Sequence, residues 1–336
     1  MKPNRQAVPR VSDAMALVFV ALVGGCWTET SVPTTITISP SSVTMDLVEE
    51  LQLTTVVADQ NGQVMTGITV TWSSDVDSIV SVTDGKLVTS VVAGQTRVHA
   101  TVGAATGSVI VTVTPGPRGW LLKAYGALDG LGWTNRAHWG TTAPLQFWHG
   151  VTTDADGNVT GLRLSDNGLN GSIPSGIGIL ASLQHLDLSQ NLVSGSIPSD
   201  LGTSANLQHL DLSQNLVSGS IPSDLGSLPD LGYLNLDSNE LTGPIPGELS
   251  YLRRLRYLAL GSNHLTGPLP PELGVLRLQA LLINDNGLSG RLPLALIGMP
   301  LQSFNWEHTG LCAPLDDAFQ EWLLSVFTRS GRNCTS

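Results

Sequence analysis

Charge is scarce in this chain. Only 13% of its 336 residues are Asp, Glu, Lys or Arg, whereas soluble proteins usually carry about 25%. Basic residues are the scarcer kind, 16 Lys and Arg against 27 Asp and Glu, for a formal charge of -11. Nucleic acids and anionic lipid surfaces are held by clustered Lys and Arg, so neither is an expected partner. Three cysteines are too few for a disulfide scaffold, and their odd number asks for an explanation. The apolar run from Ala14 to Val23 falls short of the about 20 residues that span a bilayer, and no other segment is longer and as apolar. The chain also lacks HExxH, GxSxG, a phosphate loop and paired CxxC motifs, so no cofactor and no enzymatic activity are expected. What is present, 41% hydrophobic residues, excludes disorder and suffices for two or three domains.

Lys2, Arg5 and Arg10 precede the run Ala14 to Val23, the pattern of an export signal. Val23-Gly24-Gly25-Cys26 follows and resembles the lipobox of bacterial lipoproteins. The resemblance implies a signal peptide over residues 1–25, a lipidated tether over 26–33 beginning at Cys26, and the bacterial cell envelope as location. Trp27 is compatible with export to an outer membrane. Several acyl chains on one cysteine hold a protein to a membrane without a transmembrane helix. The other reading is an ordinary signal peptide with Cys26 incidental. Cleavage removes three positive charges and Asp13, which takes the mature chain from -11 to -13.

Residues 34–114 are short runs of two-residue alternation rich in Val, Thr and Ile. Strands are expected at 35–38, 51–58, 68–73, 79–82, 86–91, 96–102 and 108–113, with hairpin turns at Asn61-Gly62 and Asp84-Gly85. About seven strands in this length, with Trp72 placed to plug the core, predict an all-β immunoglobulin-like sandwich. Val70-Thr71-Trp72-Ser73-Ser74-Asp75, then Ile79-Val80-Ser81-Val82, Gly85 and Gly94, resemble the bacterial Ig-like group 2 family, which implies a spacer or stalk at a cell surface. The acids of this segment are scattered, as on a solvated surface. Pro115-Gly116-Pro117 forms a stiff linker.

A period of 24 residues dominates the rest, marked by Asn167, Asn191, Asn215, Asn239, Asn263 and, one residue early, Asn286. Each unit reads L-x-x-L-x-L-x-x-N-x-L, the leucine-rich-repeat signature, giving six complete units and a degenerate seventh over 158–310, with Thr309 in the Asn position. Such coils bury their leucines only by stacking. The asparagines are placed to satisfy backbone groups left unpaired at each turn. Each complete unit adds G-x-[IL]-P, from Gly171-Ser172-Ile173-Pro174 to Gly290-Arg291-Leu292-Pro293, and so resembles the plant-type leucine-rich repeats of plant receptor ectodomains and many bacterial surface proteins. The expected fold is an α/β solenoid with short parallel strands on its concave face and an irregular or 3-10 convex side. Residues 183–202 and 207–226 are identical, an internal duplication.

The flanks read as caps. Over 118–157 a helix at 120–128 and Trp133, Trp139 and Trp148 are expected to close the first coil. Trp148-His149-Gly150-Val151 resembles the plant-type amino-terminal cap, with Thr152 and Thr153 where those proteins place cysteine. Over 311–336, Leu311-Cys312-Ala313-Pro314, Phe319 and Trp322 on a helix, and Gly331-Arg332-Asn333-Cys334 resemble the carboxy-terminal cap of bacterial members, which implies a Cys312–Cys334 disulfide. One lipid anchor and one bridge then account for all three cysteines.

The outward positions of the repeat strands form two columns on the concave face. One holds Gly161, His185, His209, Tyr233, Tyr257, Ala280 and Ser303; the other holds Arg163, Asp187, Asp211, Asn235, Ala259, Leu282 and Asn305. His185, Asp187, His209 and Asp211 admit a metal-dependent reading and a plain solvated one. Tyr233 and Tyr257 admit ligand recognition and packing between coils. Arg253, Arg254 and Arg256 are a solvated edge or an anion-binding rim. With Asn235, these residues make up the expected ligand-binding face: His185, Asp187, His209, Asp211, Tyr233, Asn235, Arg256 and Tyr257. The expected function is recognition or adhesion toward a protein or glycan, with a structural envelope role as the alternative. Asn158, Asn170 and Asn333 head glycosylation triplets that a bacterial lipobox makes incidental.

Overall fold

The computed structural model describes residues 30–47, 49–89 and 93–335. The signal peptide, Cys26 and the first half of the tether, and the end of the strand expected at 86–91 lie outside the described residues. Among the described residues no helix is long and apolar enough to cross a membrane.

The described residues up to 113 form ten strands: β1 Pro33–Ser39, β2 Ser42–Met45, β3 Glu50–Gln52, β4 Thr54–Asp59, β5 Val64–Met65, β6 Thr71–Ser74, β7 Val80–Thr83, β8 Lys86–Thr89, β9 Gly94–Val102 and β10 Ala105–Val113. They pair as β1-β4-β5, β2-β10-β9-β6 and β3-β8-β7, antiparallel except for β2 on β10. Alternation places Ile36, Val57, Val80, Leu87, Val98, Val109 and Val111 in a core separate from that of the repeats. Asp84 and Gly85 both take positive φ, as the tight hairpin between β7 and β8 requires. The structure differs from expectation at four points. The run 51–58 divides at Leu53, whose buried side chain goes with an N–H bonded to the Gly85 carbonyl instead of a sheet partner. Residues 68–70 are outside any strand, and β2, with its Ser-Thr face outward, escaped notice. Trp72 is only half-buried, against the rim of the core.

The linker is a fixed joint. Asp46, just after β2, accepts hydrogen bonds from the N–H groups of Gly116 at 2.6 Å and Arg118 at 2.9 Å, and so satisfies the first turn of helix α1, Pro117–Ala127. Arg118 in turn donates to the carbonyls of Thr141 and Ala143 and lies over the Trp148 ring. Trp133, Trp139 and Trp148 are buried beneath the first coil as expected, packed edge-on or tilted at 4.8–4.9 Å. Ring packing does not hold this cap alone: each indole N–H also donates to a backbone carbonyl, those of Leu128, His149 and Ala143. Gly150 is required because a Cβ there would run into the Arg163 carbonyl.

The repeats stack into two sheets. The concave sheet has nine strands, beginning with Val151–Thr153 antiparallel to Val159–Arg163 and continuing in parallel through His185–Asp187, His209–Asp211, Tyr233–Asn235, Tyr257–Ala259, Ala280–Leu282 and Ser303–Asn305 to Thr328–Ser330 of the carboxy-terminal cap. Short 3-10 turns such as Ser199–Thr203 and Gly247–Tyr251 form the convex side. The second sheet was not expected. Its seven parallel strands, Asn170–Ser172 to Gly310–Cys312, are built by the stretch after each asparagine. Its Ser- and Gly-rich sequence hides it, because Gly195, Gly219, Gly243 and Gly267 take positive φ within or at the end of strands and interrupt any alternation.

Asparagine welds the coils together. Asn239 Nδ2 donates to the carbonyls of Leu212 in the preceding coil and of Leu236 and Asp237 in its own, while its Oδ1 accepts the Val217 N–H. The same four bonds recur at Asn215, Asn263 and Asn286. Thr309 imitates them within the seventh coil, donating to the Trp306 carbonyl and accepting the Leu311 N–H. In each coil the residue before this position takes positive φ, from Asp166 to His308. At the far end Cys312 and Cys334 are bonded, and α2, Asp317–Ser325, is capped by Asp316 and buries Phe319 and Trp322.

Asn239→Ala orphans buried groups on two coils, each costing about 1–3 kcal/mol; a loss of at least about 2 kcal/mol in urea unfolding is expected, and a loss below about 0.5 kcal/mol would contradict the ladder's role. Reducing the Cys312–Cys334 bridge, which closes a loop of 22 residues, should cost about 3 kcal/mol, read as a lower melting temperature in reductant.

Candidate functional site

Strand register places both concave columns as the repeat predicts: His185, His209, Tyr233, Tyr257, Ala280 and Ser303 lie in line, beside Asp187, Asp211, Asn235, Ala259, Leu282 and Asn305. Neighbouring parallel strands lie about 4.8 Å apart, near the optimum for stacked rings. The four rings therefore form one pile. Centroids are 5.5 Å apart for His185 and His209, 4.2 Å for His209 and Tyr233, and 4.5 Å for Tyr233 and Tyr257, the last two pairs within 8° of parallel. All four side chains are half-buried. The tyrosines thus both pack between coils and present a surface.

The second column is tethered. Asp187 Oδ1 accepts from the N–H and hydroxyl of Ser189, and Asp211 Oδ1 accepts likewise from Ser213. Asp211 Oδ2 accepts from the Tyr233 hydroxyl at 3.3 Å and from Asn235 Nδ2 at 3.1 Å, and Asn235 Nδ2 also reaches the Tyr233 oxygen at 3.3 Å. Burial, with Asp211 and Tyr257 adding to it, raises the Tyr233 phenol well above its usual range; burial, with Asp237 and Asp211, raises Tyr257. Both stay neutral donors. Burial pushes both histidines down. Arg163 and the neighbouring ring add to this at His185, whereas Asp211 and Asp187 oppose it at His209. Neutral imidazoles at neutral pH make the pile a ring surface edged by two fixed carboxylates.

Two expectations shift. Among the described residues no group of three or more His, Cys, Asp or Glu side chains is placed to hold a metal ion, and the aspartates are turned toward serines, Tyr233 and Asn235. The metal-dependent reading of His185, Asp187, His209 and Asp211 therefore has no geometry behind it. Arg256 stands apart from the pile, its guanidinium donating to the carbonyls of Leu255 and Arg253, and Arg254 pairs with Asp230 at 2.7 Å. The seventh position of each unit makes a third column, Ser165, Ser189, Ser213, Asp237, Gly261, Asn284 and Glu307, in which Ser189, Ser213 and Gly261 are buried and the others are partly or fully exposed. Its signal was available, since that position follows the last inward leucine.

The histidines give a pH dependence with a defined sign. Because folding lowers their proton affinity below the ordinary 6.5, the unfolded chain takes up protons first as pH falls. Their contribution is level above about pH 6.5, and stability declines below it, down through the folded values. Denaturation of the wild type and His209→Gln at about pH 7.5 and 5 should show the larger acid loss in the wild type. Imidazole NMR titration checks the cause, and an upward shift at either ring would contradict it.

The leucine-rich-repeat model matches residues 158–180, 182–204, 206–228, 230–252 and 254–276. Among solved structures, the Arabidopsis receptor kinase HAESA in complex with the peptide hormone IDA and the co-receptor SERK1 is 33% identical, over 62% of this chain and 36% of its own, with a TM-score of 0.56. The HAESA ectodomain with an N-terminally extended IDA peptide is 34% identical over the same shares, with a TM-score of 0.51. The plant peptide hormone receptor RGFR1, in complex with RGF2, is 36% identical over 47% of this chain and 26% of its own, with a TM-score of 0.46. The chain thus spans about a quarter to a third of the length of these receptor chains. No curated protein matches it. Residues 158–276 are therefore leucine-rich repeats, in a solenoid similar to the ectodomains of plant receptor kinases.

Proposed function

We propose that this is a non-catalytic recognition protein that binds an extended peptide or protein segment across the concave pile of His185, His209, Tyr233 and Tyr257. The observation that carries the reading is the pile itself. Four half-buried rings held by strand spacing, with Asp187 and Asp211 tethered beside them, form a surface already ordered before a ligand arrives. Aromatic side chains of this kind dominate interface energetics because little entropy is lost in using them. The likeness to HAESA, solved with a peptide hormone, favours a peptide over a glycan.

The remaining parts fit display. The β-rich unit before residue 114 is read as a bacterial Ig-like group 2 stalk, and its joint through Asp46 would hold the solenoid at a fixed angle. Residues 1–25 are read as a signal peptide and Cys26 as a lipid anchor, which places the protein on the bacterial envelope, at the outer membrane or cell surface. The membrane is then a partner through the lipid alone.

Selection of a random displayed peptide library against the full-length protein tests the reading. Binders should lose at least about tenfold in affinity for the double variant His209→Ala, Tyr233→Ala and keep it for Tyr251→Ala on a convex turn. Undiminished binding to the double variant would move the site elsewhere, binding only to a glycan array screened alongside would change the ligand class, and failure with both the peptide library and the glycan array would favour the structural role.

A further inference from the structure

A cavity of about 460 Å³ opens where the amino-terminal unit meets the cap, and none of its lining residues belongs to the concave strands. Trp120 and Leu122 of α1, Leu47 just after β2, and Ile179 on a convex turn of the first coil give it a largely apolar wall. Lys123, Ser175, Gly176 and Ile179 on its rim are exposed, so it communicates with solvent. Its volume falls within the about 300–1,000 Å³ of small-molecule sites, which favour junctions between units of this kind.

Two donors on one side of this cavity are short of an acceptor. The indoles of Trp133, Trp139, Trp148, Trp306 and Trp322 each donate to a backbone carbonyl. Trp120 is 4% exposed, and its Nε1 has no hydrogen-bond partner among the described residues. The pyrrole edge of that ring faces Gly176: a Cβ there would lie 3.5 Å from Trp120 Cδ1 and 3.9 Å from Nε1. Lys123, three residues on and therefore on the same face of α1, reaches the same turn, where Nζ donates to the Ser175 carbonyl at 3.0 Å. An ammonium has three donors, and among the described residues no carboxylate pairs with this one. The Asp46 carboxylate, against Gly119 at the cavity's edge, is already committed to the N–H groups of Leu47, Gly116 and Arg118.

We propose that this cavity binds a small carboxylic acid with an apolar tail, its carboxylate accepting from Lys123 Nζ and Trp120 Nε1 beside Ser175 and Gly176, and its tail lying against Leu47, Leu122 and Ile179. The site is independent of peptide binding on the concave face. A carboxylate brings two acceptor oxygens to two donors and one negative charge to one unpaired ammonium. An amide or ester brings an acceptor without the charge. A phosphate brings more oxygens and more charge than one ammonium and one indole can satisfy. Burial of the tail against the apolar wall supplies affinity, and the charged end fixes the orientation.

Octanoate, titrated into the full-length protein with isotope-labelled tryptophans, tests the proposal, with octanamide and acetate alongside. The Trp120 indole resonance, assigned by its loss in Trp120→Phe, is expected to move downfield and saturate with octanoate, as an N–H does on gaining a charged acceptor. Octanamide should bind more weakly, and acetate, which lacks the tail, should leave the resonance in place. Lys123→Gln should weaken octanoate binding about three- to fivefold. Ile179→Phe, a larger side chain at an exposed rim position, should narrow the cavity and weaken binding while the other indole resonances stay where they are, which separates loss of the cavity from loss of the fold. A Trp120 indole that stays unmoved up to the micelle limit of octanoate, equal affinity for octanamide, or a titration unchanged by Ile179→Phe overturns the proposal.

Discussion

From the second coil to the sixth, each turn buries carbonyls and N–H groups that have no strand partner, and one asparagine side chain per coil satisfies them, with Thr309 taking a local version of the role in the seventh. Because Asn191, Asn215, Asn239, Asn263 and Asn286 each bond to the preceding coil as well as their own, as Asn239 does through Leu212 and Val217, neighbouring coils are tied in register. Leucine burial supplies the free energy of stacking, but it is non-directional. The hydrogen-bonded ladder fixes the register, and the register puts equivalent side chains in line.

The candidate site is a consequence of that register. Rings stack at 4.2–5.5 Å because their strands are held at the sheet spacing. The carboxylates of Asp187 and Asp211 point one way because Ser189 and Ser213, themselves set by the same turn, hold one oxygen of each. Duplication of residues 183–202 made this economical: copying one coil copied a ring, a carboxylate and its tether together. The two tyrosines that follow lengthen the pile, and the shrinkage to Ala259, Gly261 and Ala280 ends it. At the other end of the array, Asp46 of the amino-terminal unit accepts from the Gly116 and Arg118 N–H groups at the start of α1 and so ties that unit to the cap of the first coil.

Much of this was legible in the sequence wherever a period existed. The asparagine spacing gave the coils, and counting from it gave both columns of the concave face correctly, because a solenoid converts sequence period into spatial alignment. The Thr309 substitution was readable as a degenerate unit, although that a hydroxyl would take over the asparagine's local bonds was not. What could not be read was aperiodic or conformational. The second sheet is written in Ser and Gly at positive φ, which resembles loop chemistry. The tethers on Asp187 and Asp211 and the bonds of Arg256 to the Leu255 and Arg253 carbonyls depend on where side chains turn, and repeat counting fixes only where they start. In the amino-terminal unit no period exists beyond alternation, so β2 and the break at Leu53 passed unnoticed.

A crystal structure of the protein with a peptide selected from a displayed library tests the central claim most directly. Peptide backbone crossing the His185, His209, Tyr233 and Tyr257 rings, with the rings unmoved from their positions here, is the result this account predicts. A peptide seated on the second sheet, on the convex turns or on the amino-terminal strands would contradict it.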